Sequence, residues 1–325
     1  MRARRRQFLA TALGAGALAA GQARAQAPAF PSRPLRLIVG FAAGGPADGI
    51  GRSMAKALED ELRQPVVVDN RAGAAGLVGL QAVTGATPDG YTIGLLANTT
   101  TTSLHFAGRK LDIDATLAPI GRFVSTRILL VVNPTLIPAR TLPEFVDHLR
   151  RNPGTLMTSA GHGGLGHLGL ALFALEQNLR IEHVAYKGSA PAMTDVIAGQ
   201  VGGMVVDATS ALPFIQTGKL RPICVASSSR VPSLPELPTA IELGLTSLQI
   251  DSSMGLVAPP RTPQPIVDRL AEALRRAVDG ASYTDAAARA GNERYFHDAA
   301  AFRQWLAGDF ERWGNVIRQA NIKVS

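Results

Sequence analysis

Residues 35–62 read LRLIVGFAAGGPADGIGRSMAKALEDEL, and this stretch decides how the rest of the chain is read. Leu35 to Val39 is a short apolar run suited to a buried strand. After a turn, Ile50, Met54, Leu58 and Leu62 recur every four residues, which places them on one face of a helix. The joint between them is Phe41-Ala42-Ala43-Gly44-Gly45-Pro46-Ala47-Asp48. Glycines let the backbone turn sharply, and the helix N-terminus that follows presents free N–H groups with a partial positive charge. Such a turn can take an anion without a cationic side chain, so Phe41, Ala42, Gly44, Gly45, Pro46 and Asp48 are candidate ligand contacts. Asp48 has a structural reading beside that one, as the helix N-cap.

The strand–turn–helix unit recurs outward from this stretch. Val66-Val67-Val68 reads as a strand, residues 74–84 as a Gly/Ala-rich helix and residues 92–96 as another strand. From about Ile128 the alternation starts again, with strands at 129–132, 156–159, 181–184, 203–206 and 220–226 and helices at 142–150, 165–177 and 190–198. Strands alternating with helices imply βαβ units and largely parallel sheets covered on both faces. Pro232, Pro235 and Pro238, followed by the strand-like residues 248–257, suggest a return toward the first half. Thr262-Pro263 looks like an N-cap and first helical position. From Asp298, the spacing of Phe302, Trp305, Leu306, Phe310, Trp313, Val316 and Ile317 predicts a long amphipathic helix whose tryptophans serve packing. About 300 residues after the leader exceed what one core usually serves, so two α/β lobes are expected.

The leader is residues 1–25. Arg2, Arg4, Arg5 and Arg6 precede an apolar run from Phe8 to Ala20, and Ala23-Arg24-Ala25 resembles a cleavage site. Arg5-Arg6-Gln7-Phe8-Leu9 also resembles a twin-arginine signal. Cleavage near Ala25 would release the protein into the periplasm, with no lipid-accepting cysteine and no later segment to anchor it. The formal charge of +8 shrinks with the leader, whose five arginines leave 28 basic and 25 acidic residues, or +3. Without basic clusters interleaved with aromatics, no nucleic-acid partner is expected. Cys224 is the only cysteine, in an apolar run, and reads as a buried small hydrophobe.

A second glycine turn, Ser159-Ala160-Gly161-His162-Gly163-Gly164-Leu165-Gly166-His167, again joins a strand to a helix. Gly161, Gly163 and Gly166 satisfy G-x-G-x-x-G, and Glu182 stands about 20 residues on, as a ribose-binding acid would. An exported nucleotide-dependent oxidoreductase is therefore the alternative. The same loop serves equally as an anion cradle, with Ser159, Gly161, Gly163, Gly164 and His167 as candidates. His162 and His167 are five apart and do not share a helical face, so no metal site is expected. Tyr186, Lys187 and Gly188 follow the next strand and offer an amphipathic wall, a cation and close backbone approach. Asp207 and Thr209 sit at a strand end where open α/β sheets place ligands, with capping of a following helix as the competing account. Asn98, just past the strand at 92–96, completes the candidate set. No nucleophile elbow, zinc-protease motif or Walker A sequence occurs, so neither catalytic residues nor a cofactor are expected.

These motifs, taken in order, resemble the Bug (Bordetella uptake gene) family, the substrate-binding proteins of tripartite tricarboxylate transporters. The similarity runs through Phe41 to Asp48, Val66 to Gly76, Pro88 to Thr92, Pro153-Gly154 and the Ser159 loop with His167-Leu168. It continues through Tyr186-Lys187-Gly188, Asp195, Gly199-Gln200-Val201, Leu234-Pro235-x-x-Pro238-Thr239, Glu242-x-Gly244, Gly255-Leu256-x-Ala258-Pro259 and Trp313. The resemblance implies a type II periplasmic-binding-protein fold, with lobe 1 formed by residues 26–127 and 252–325 and lobe 2 by residues 128–251. It also implies a monomeric receptor that holds a small organic carboxylate between the lobes for membrane permease subunits. Ala43, Pro46, Ala47, Ala185 and Ser253 depart from the family pattern. The last replaces a frequent Trp, and its loss is expected to change an aromatic wall near the cleft.

Overall fold

The computed structural model describes residues 30–322 apart from 160, 187, 246, 247, 251 and 290. The leader, its cleavage point and the candidate Lys187 lie outside the described residues. Every element below belongs to one compact unit, Arg33–Ser325.

Strand β1 (Leu35–Val39) leads through the first glycine turn into helix α1 (Pro46–Leu62), which buries Ile50, Met54, Leu58 and Leu62. Pro46 takes the first helical position, where a missing N–H costs nothing. The N-cap is Gly45, so Asp48 is not the cap but lies one turn inside. Strand β2 (Val66–Asn70) is followed by α2 (Leu77–Thr84), later than the helix expected from residue 74. Ala74 and Ala75 adopt φ of 45° and 51°, and the loop they form carries Gly76 so close to Thr100 and Phe41 that no Cβ would fit there. Then come β3 (Thr92–Ala97), α3 (Asn98–Phe106), the short α4 (Ile113–Thr116) and β4 (Ala118–Thr126).

Arg127 alone separates β4 from β5 (Ile128–Val132), which begins a second sheet. After it run α5 (Leu142–Arg151), β6 (Thr155–Ser159), α6 (Leu165–Glu176), β7 (Ile181–Ala185), α7 (Ser189–Ile197), β8 (Gly203–Asp207), α8 (Ala208–Gln216) and β9 (Arg221–Val225). The chain returns through β10 (Ser252–Ala258), then forms α9 (Gln264–Asp279), α10 (Ala281–Arg289), β11 (Asn292–His297) and α11 (Ala299–Gln319). Thr262 does not cap α9; its hydroxyl donates to the Pro259 carbonyl, and the helix starts at Gln264. Asp298 does cap α11, accepting the Ala301 amide. Among the described residues, no helix is long and apolar enough to cross a membrane.

The sheets are ordered β11-β4-β10-β3-β1-β2 and β7-β6-β8-β5-β9. They are mixed, and this corrects the expectation of largely parallel sheets. In the first, β10 runs antiparallel between β3 and β4; in the second, β5 runs antiparallel between β8 and β9. Each intruder is the strand that has just arrived from the other sheet, so it enters from the opposite end. Ignoring the edge strand β11, the two sheets share one plan, parallel strands on one side of an inserted strand.

Ser227, fully buried, stitches the two crossings together. Its hydroxyl accepts the Ile128 amide and donates to the Ile250 carbonyl, each at 3.0 Å. Helix α11 also spans the divide. Phe302 and Leu306 pack in the core of the first sheet, while Trp313, Val316 and Ile317 pack in that of the second. Trp313 is buried as its spacing predicted, and Trp305 lies against the Arg122 guanidinium. Cys224 is a free, buried thiol, and that burial pushes its pKa up to about 12.

Candidate functional site

Between the sheets, at the C-terminal ends of β1, β3, β6 and β8, lies a cavity of about 750 Å³. Open α/β sheets place ligands at such strand ends, because helix N-termini and turn amides converge there. From the first sheet's side it is lined by Phe41, Pro46, Ala74, Ala75, Leu77, Thr99, Ser103, Phe106, Ala107 and Ser252. From the second come Ile128, Ser159, Gly161 to Gly166, Gly188, Ser189, Val205, Val206 and Asp207.

The second glycine turn forms most of one wall. Ser159 is buried; its hydroxyl donates to the Gly161 carbonyl at 3.1 Å and lies 2.8 Å from His183 Nε2. Gly163 donates its amide to His167 Nδ1 at 3.0 Å, closing the loop onto its own helix. Its φ of 71° suits glycine, and a Cβ there would sit 2.7 Å from the Phe106 ring. Helix α6 then starts at Leu165 with Gly164 as N-cap, no side-chain capping bond and no acidic residue in its first turn. The first amides of a helix have no intrahelical partner, so this end faces the cavity with donors to spare. Helix α7, capped by Gly188, is alike in both respects. Elsewhere α5, α8 and α11 are closed by the side chains of Thr141, Asp207 and Asp298.

The first glycine turn is differently disposed. Asp48 is buried and accepts from the Gly44 amide at 2.9 Å, Arg52 Nε at 2.8 Å and Asn70 Nδ2 at 3.0 Å. The Arg52 bond, with the Gly44 and Asn70 bonds, holds its carboxyl down at about 2 against the opposing effect of burial. The Gly45 amide turns back to the Ala42 carbonyl, and Pro46 has no N–H. This turn is thus anchored by its own anion. Phe41 and Pro46 reach the large cavity, whereas Gly44 and Gly45 line a smaller hollow of about 310 Å³ with Thr209, Asp207 and Asn292. Ala42 lines neither.

Other candidates are dispersed. Asn98 is buried at the start of α3, accepting the Ser253 amide and donating to Asp309. Tyr186 donates its hydroxyl to Asp195 and is absent from the cavity wall. Asp207 lines the cavity, but its oxygens accept the Ser210 amide and hydroxyl at 2.8 and 2.9 Å, which is the capping account. Ser253 lies inside, near Tyr295 and Arg122, so the missing aromatic at that position does not bear on the cavity wall; its neighbour Ser252 does. Sequence reasoning missed Ala74, Ala75, Thr99, Ser103 and Phe106. The hydroxyl run at 99–103, just past a parallel strand, was the available signal.

His162, His167 and His183 form a cluster that spacing along the chain did not reveal, because His183 arrives from β7. One nitrogen of each lies within 4.8 Å of the others, so the trio could hold a metal ion. However, the His167 and His183 rings stack face to face, 3.9 Å apart and 10° from parallel, and nitrogens of parallel rings do not converge on one point. Burial holds His167 down at about 3 and His183 at about 4, with the neighbouring histidines adding to the effect. The bond from Gly163 requires an unprotonated Nδ1 on His167, in keeping with that lowered value.

The nucleotide alternative fails on register. Ser159 pairs with Ala185, whereas Glu182 pairs with Leu156 at the far end of β6, about 10 Å from the glycine turn at roughly 3.3 Å per residue. A ribose-binding acid must stand beside the turn.

The profile described as "Tripartite tricarboxylate transporter family receptor" matches residues 50–322. A curated relative, the UPF0065 protein in the gbd 5' region of Cupriavidus necator, is 32% identical over 98% of this chain and 96% of its own. The solved periplasmic binding protein BugD superposes with a TM-score of 0.74 at 29% identity, covering 90% of this chain and 99% of that one. The structure of R. palustris Rpa4515 with adipate gives 0.76 at 26% identity, covering 90% and 99%.

Proposed function

Because the chain belongs to the tripartite tricarboxylate transporter receptor family, the Bug proteins, whose members are periplasmic solute-binding proteins and not enzymes, we propose that it captures a small organic carboxylate in the interlobe cavity and presents it to a membrane permease. The observation that carries this reading is the open N-terminus of α6, glycine-capped and free of acid, on a 750 Å³ cavity. A carboxylate there would accept first-turn amides, with the Ser159 loop holding its position. Charge-assisted bonds of this kind are about twice as strong as neutral ones. Gly161, Gly164, Gly188 and Ser159 are the contacts assigned to the ligand, with Gly163, whose amide is held by His167, shaping the turn and with Phe41 and Pro46 facing them from the first sheet.

Lobe 1 comprises residues 26–127 and 252–325 and lobe 2 residues 128–251, with the two crossings as hinge. Ligand bound to both walls favours the closed arrangement over the open one, and closure is the signal a permease can read. The bound state forms in the periplasm after removal of the leader.

A thermal-shift screen across organic acids, amino acids and neutral analogues tests the reading. A ligand selective for the native state raises stability by about 2.7 kcal/mol at 100 times its Kd. At least one carboxylate is expected to shift the transition upward while its amide does not. A screen in which only neutral compounds act would overturn the proposal.

A further inference from the structure

The walls of the cavity differ in chemistry, and the difference selects among carboxylates. The wall made by the Ser159 turn and α6 is mostly glycine backbone with the start of a helix. The wall from the first sheet is mostly the apolar surface of Phe41, Ala74, Ala75, Leu77, Phe106 and Ala107, with the hydroxyl residues Thr99, Ser103 and Ser252 among them. Among the described lining residues there is no Lys or Arg, and the one carboxylate, Asp207, is already engaged by Ser210. We infer that the preferred ligand carries a single carboxylate on a bulky apolar body, of the aryl or branched-alkyl kind, rather than two carboxylates on a short chain. This rests on the carboxylate reading above.

Two physical arguments carry it. A second ionised carboxylate would meet no cation among the described residues of that wall, only the hydroxyls of Thr99, Ser252 and Ser103, the last already donating to the Thr100 carbonyl, and a few hydroxyls offset little of the cost of taking such a group out of water. The first glycine turn cannot relieve that cost. Its Gly44 amide is spent on Asp48, and the buried Asp48 carboxylate opposes another negative charge there. An apolar body, by contrast, gains from every part of the Phe41, Leu77 and Phe106 surface it covers. Phe106 also meets His162 edge-on, 5.7 Å between centroids, so aromatic rings of both walls already face one another at the end of the cavity.

The test is calorimetric titration of the protein with phenylacetate, phenylacetamide, adipate and malate, repeated on Ala75→Lys. Ala75 is exposed in the wall loop, so the substitution brings a cation to the apolar side without disturbing the core. Phenylacetate is expected to bind at least ten times more tightly than either dicarboxylate and than its own amide. Ala75→Lys is expected to raise adipate affinity at least ten-fold. Tighter binding of adipate or malate by the unaltered protein would overturn the inference and leave the carboxylate reading standing. Equal binding of phenylacetamide would overturn the carboxylate reading itself, and no binding of any probe would overturn both. An Ala75→Lys protein with no gain for adipate would refute the placement of the apolar wall.

Discussion

The Ser227 hydroxyl donates to the Ile250 carbonyl at 3.0 Å, so one buried side chain ties the end of β9 to the chain returning toward β10. The same oxygen accepts the Ile128 amide at the start of the outward crossing. Ser227→Ala leaves a donor and an acceptor buried without partners, which costs about 1–3 kcal/mol each. Urea unfolding is expected to show a loss of about 2–6 kcal/mol. An unchanged midpoint would mean that the crossings do not depend on this hydroxyl.

His167 and His183 predict an acid limit. Their folded pKa values lie below the unfolded value near 6.5, so the unfolded chain binds more protons between about 3 and 6.5. Their contribution is complete above pH 6.5 and is lost as pH falls from there through about 4 for His183 and about 3 for His167. Protonating His167 Nδ1 also breaks its bond from Gly163, so the loop should loosen with it. His183→Gln is expected to flatten the pH dependence of stability across this window, read by urea midpoints at half-unit intervals. An unaltered slope would contradict the assignment.

Asp309 acts in the opposite sense. Burial raises its carboxyl to about 6, against the hydrogen bonds from Asn98 and Trp313 that favour the charged form. The folded state therefore binds the extra proton between about 4 and 6, and stability falls as pH rises through that range. The loss above pH 6 is on the order of 3 kcal/mol. Asp309→Asn should remove this falling component and steepen the rise owed to the histidines. A variant with the wild-type profile would show that Asp309 ionises freely.

Ser159→Ala tests the turn without touching its amides. The hydroxyl donates to Gly161 and lies against His183, so its loss should relax the loop proposed to hold the carboxylate. We expect carboxylate affinity to fall about ten-fold, equivalent to about 1.4 kcal/mol, with the unfolding midpoint nearly unchanged. Unchanged affinity would place the ligand elsewhere.

The strand–turn–helix units were legible because each is fixed by local periodicity. Leu35 to Leu62 folds as its four-residue repeat requires, and Trp313 is buried where its spacing put it. Partner orientation was not legible. Nothing in Ser252 to Ala258 or Ile128 to Val132 records that these strands run against their neighbours, because that is decided by which sheet the chain has just left. At the site, the glycine turns were readable, but the two turns looked equivalent. What separates them is charge: Asp48 closes the first turn as an anion bonded to Gly44 and Arg52, whereas the residue in the same place on α6, His167, accepts the Gly163 amide through an uncharged ring nitrogen. The three-histidine cluster and the Phe106 wall arise from contacts between distant segments, which spacing along one strand or helix does not encode.

The central claim is that α6 lacks the anion that Asp48 supplies to α1, and that the ligand supplies it. Gly164→Asp tests this directly. Gly164 is in an extended conformation, φ −75° and ψ 167°, and a Cβ there would make only ordinary contact, 3.7 Å from the Gly161 carbonyl oxygen. An aspartate should cap α6 and stabilise the protein by about 0.3–1 kcal/mol, mostly through its charge at the helix N-terminus, because glycine is already a tolerated N-cap. Titration with the carboxylate that most stabilises the unaltered protein should then show affinity reduced at least a hundred-fold in a variant whose melting temperature has risen. A Gly164→Asp protein that melts higher and still binds that carboxylate with undiminished affinity would contradict the account.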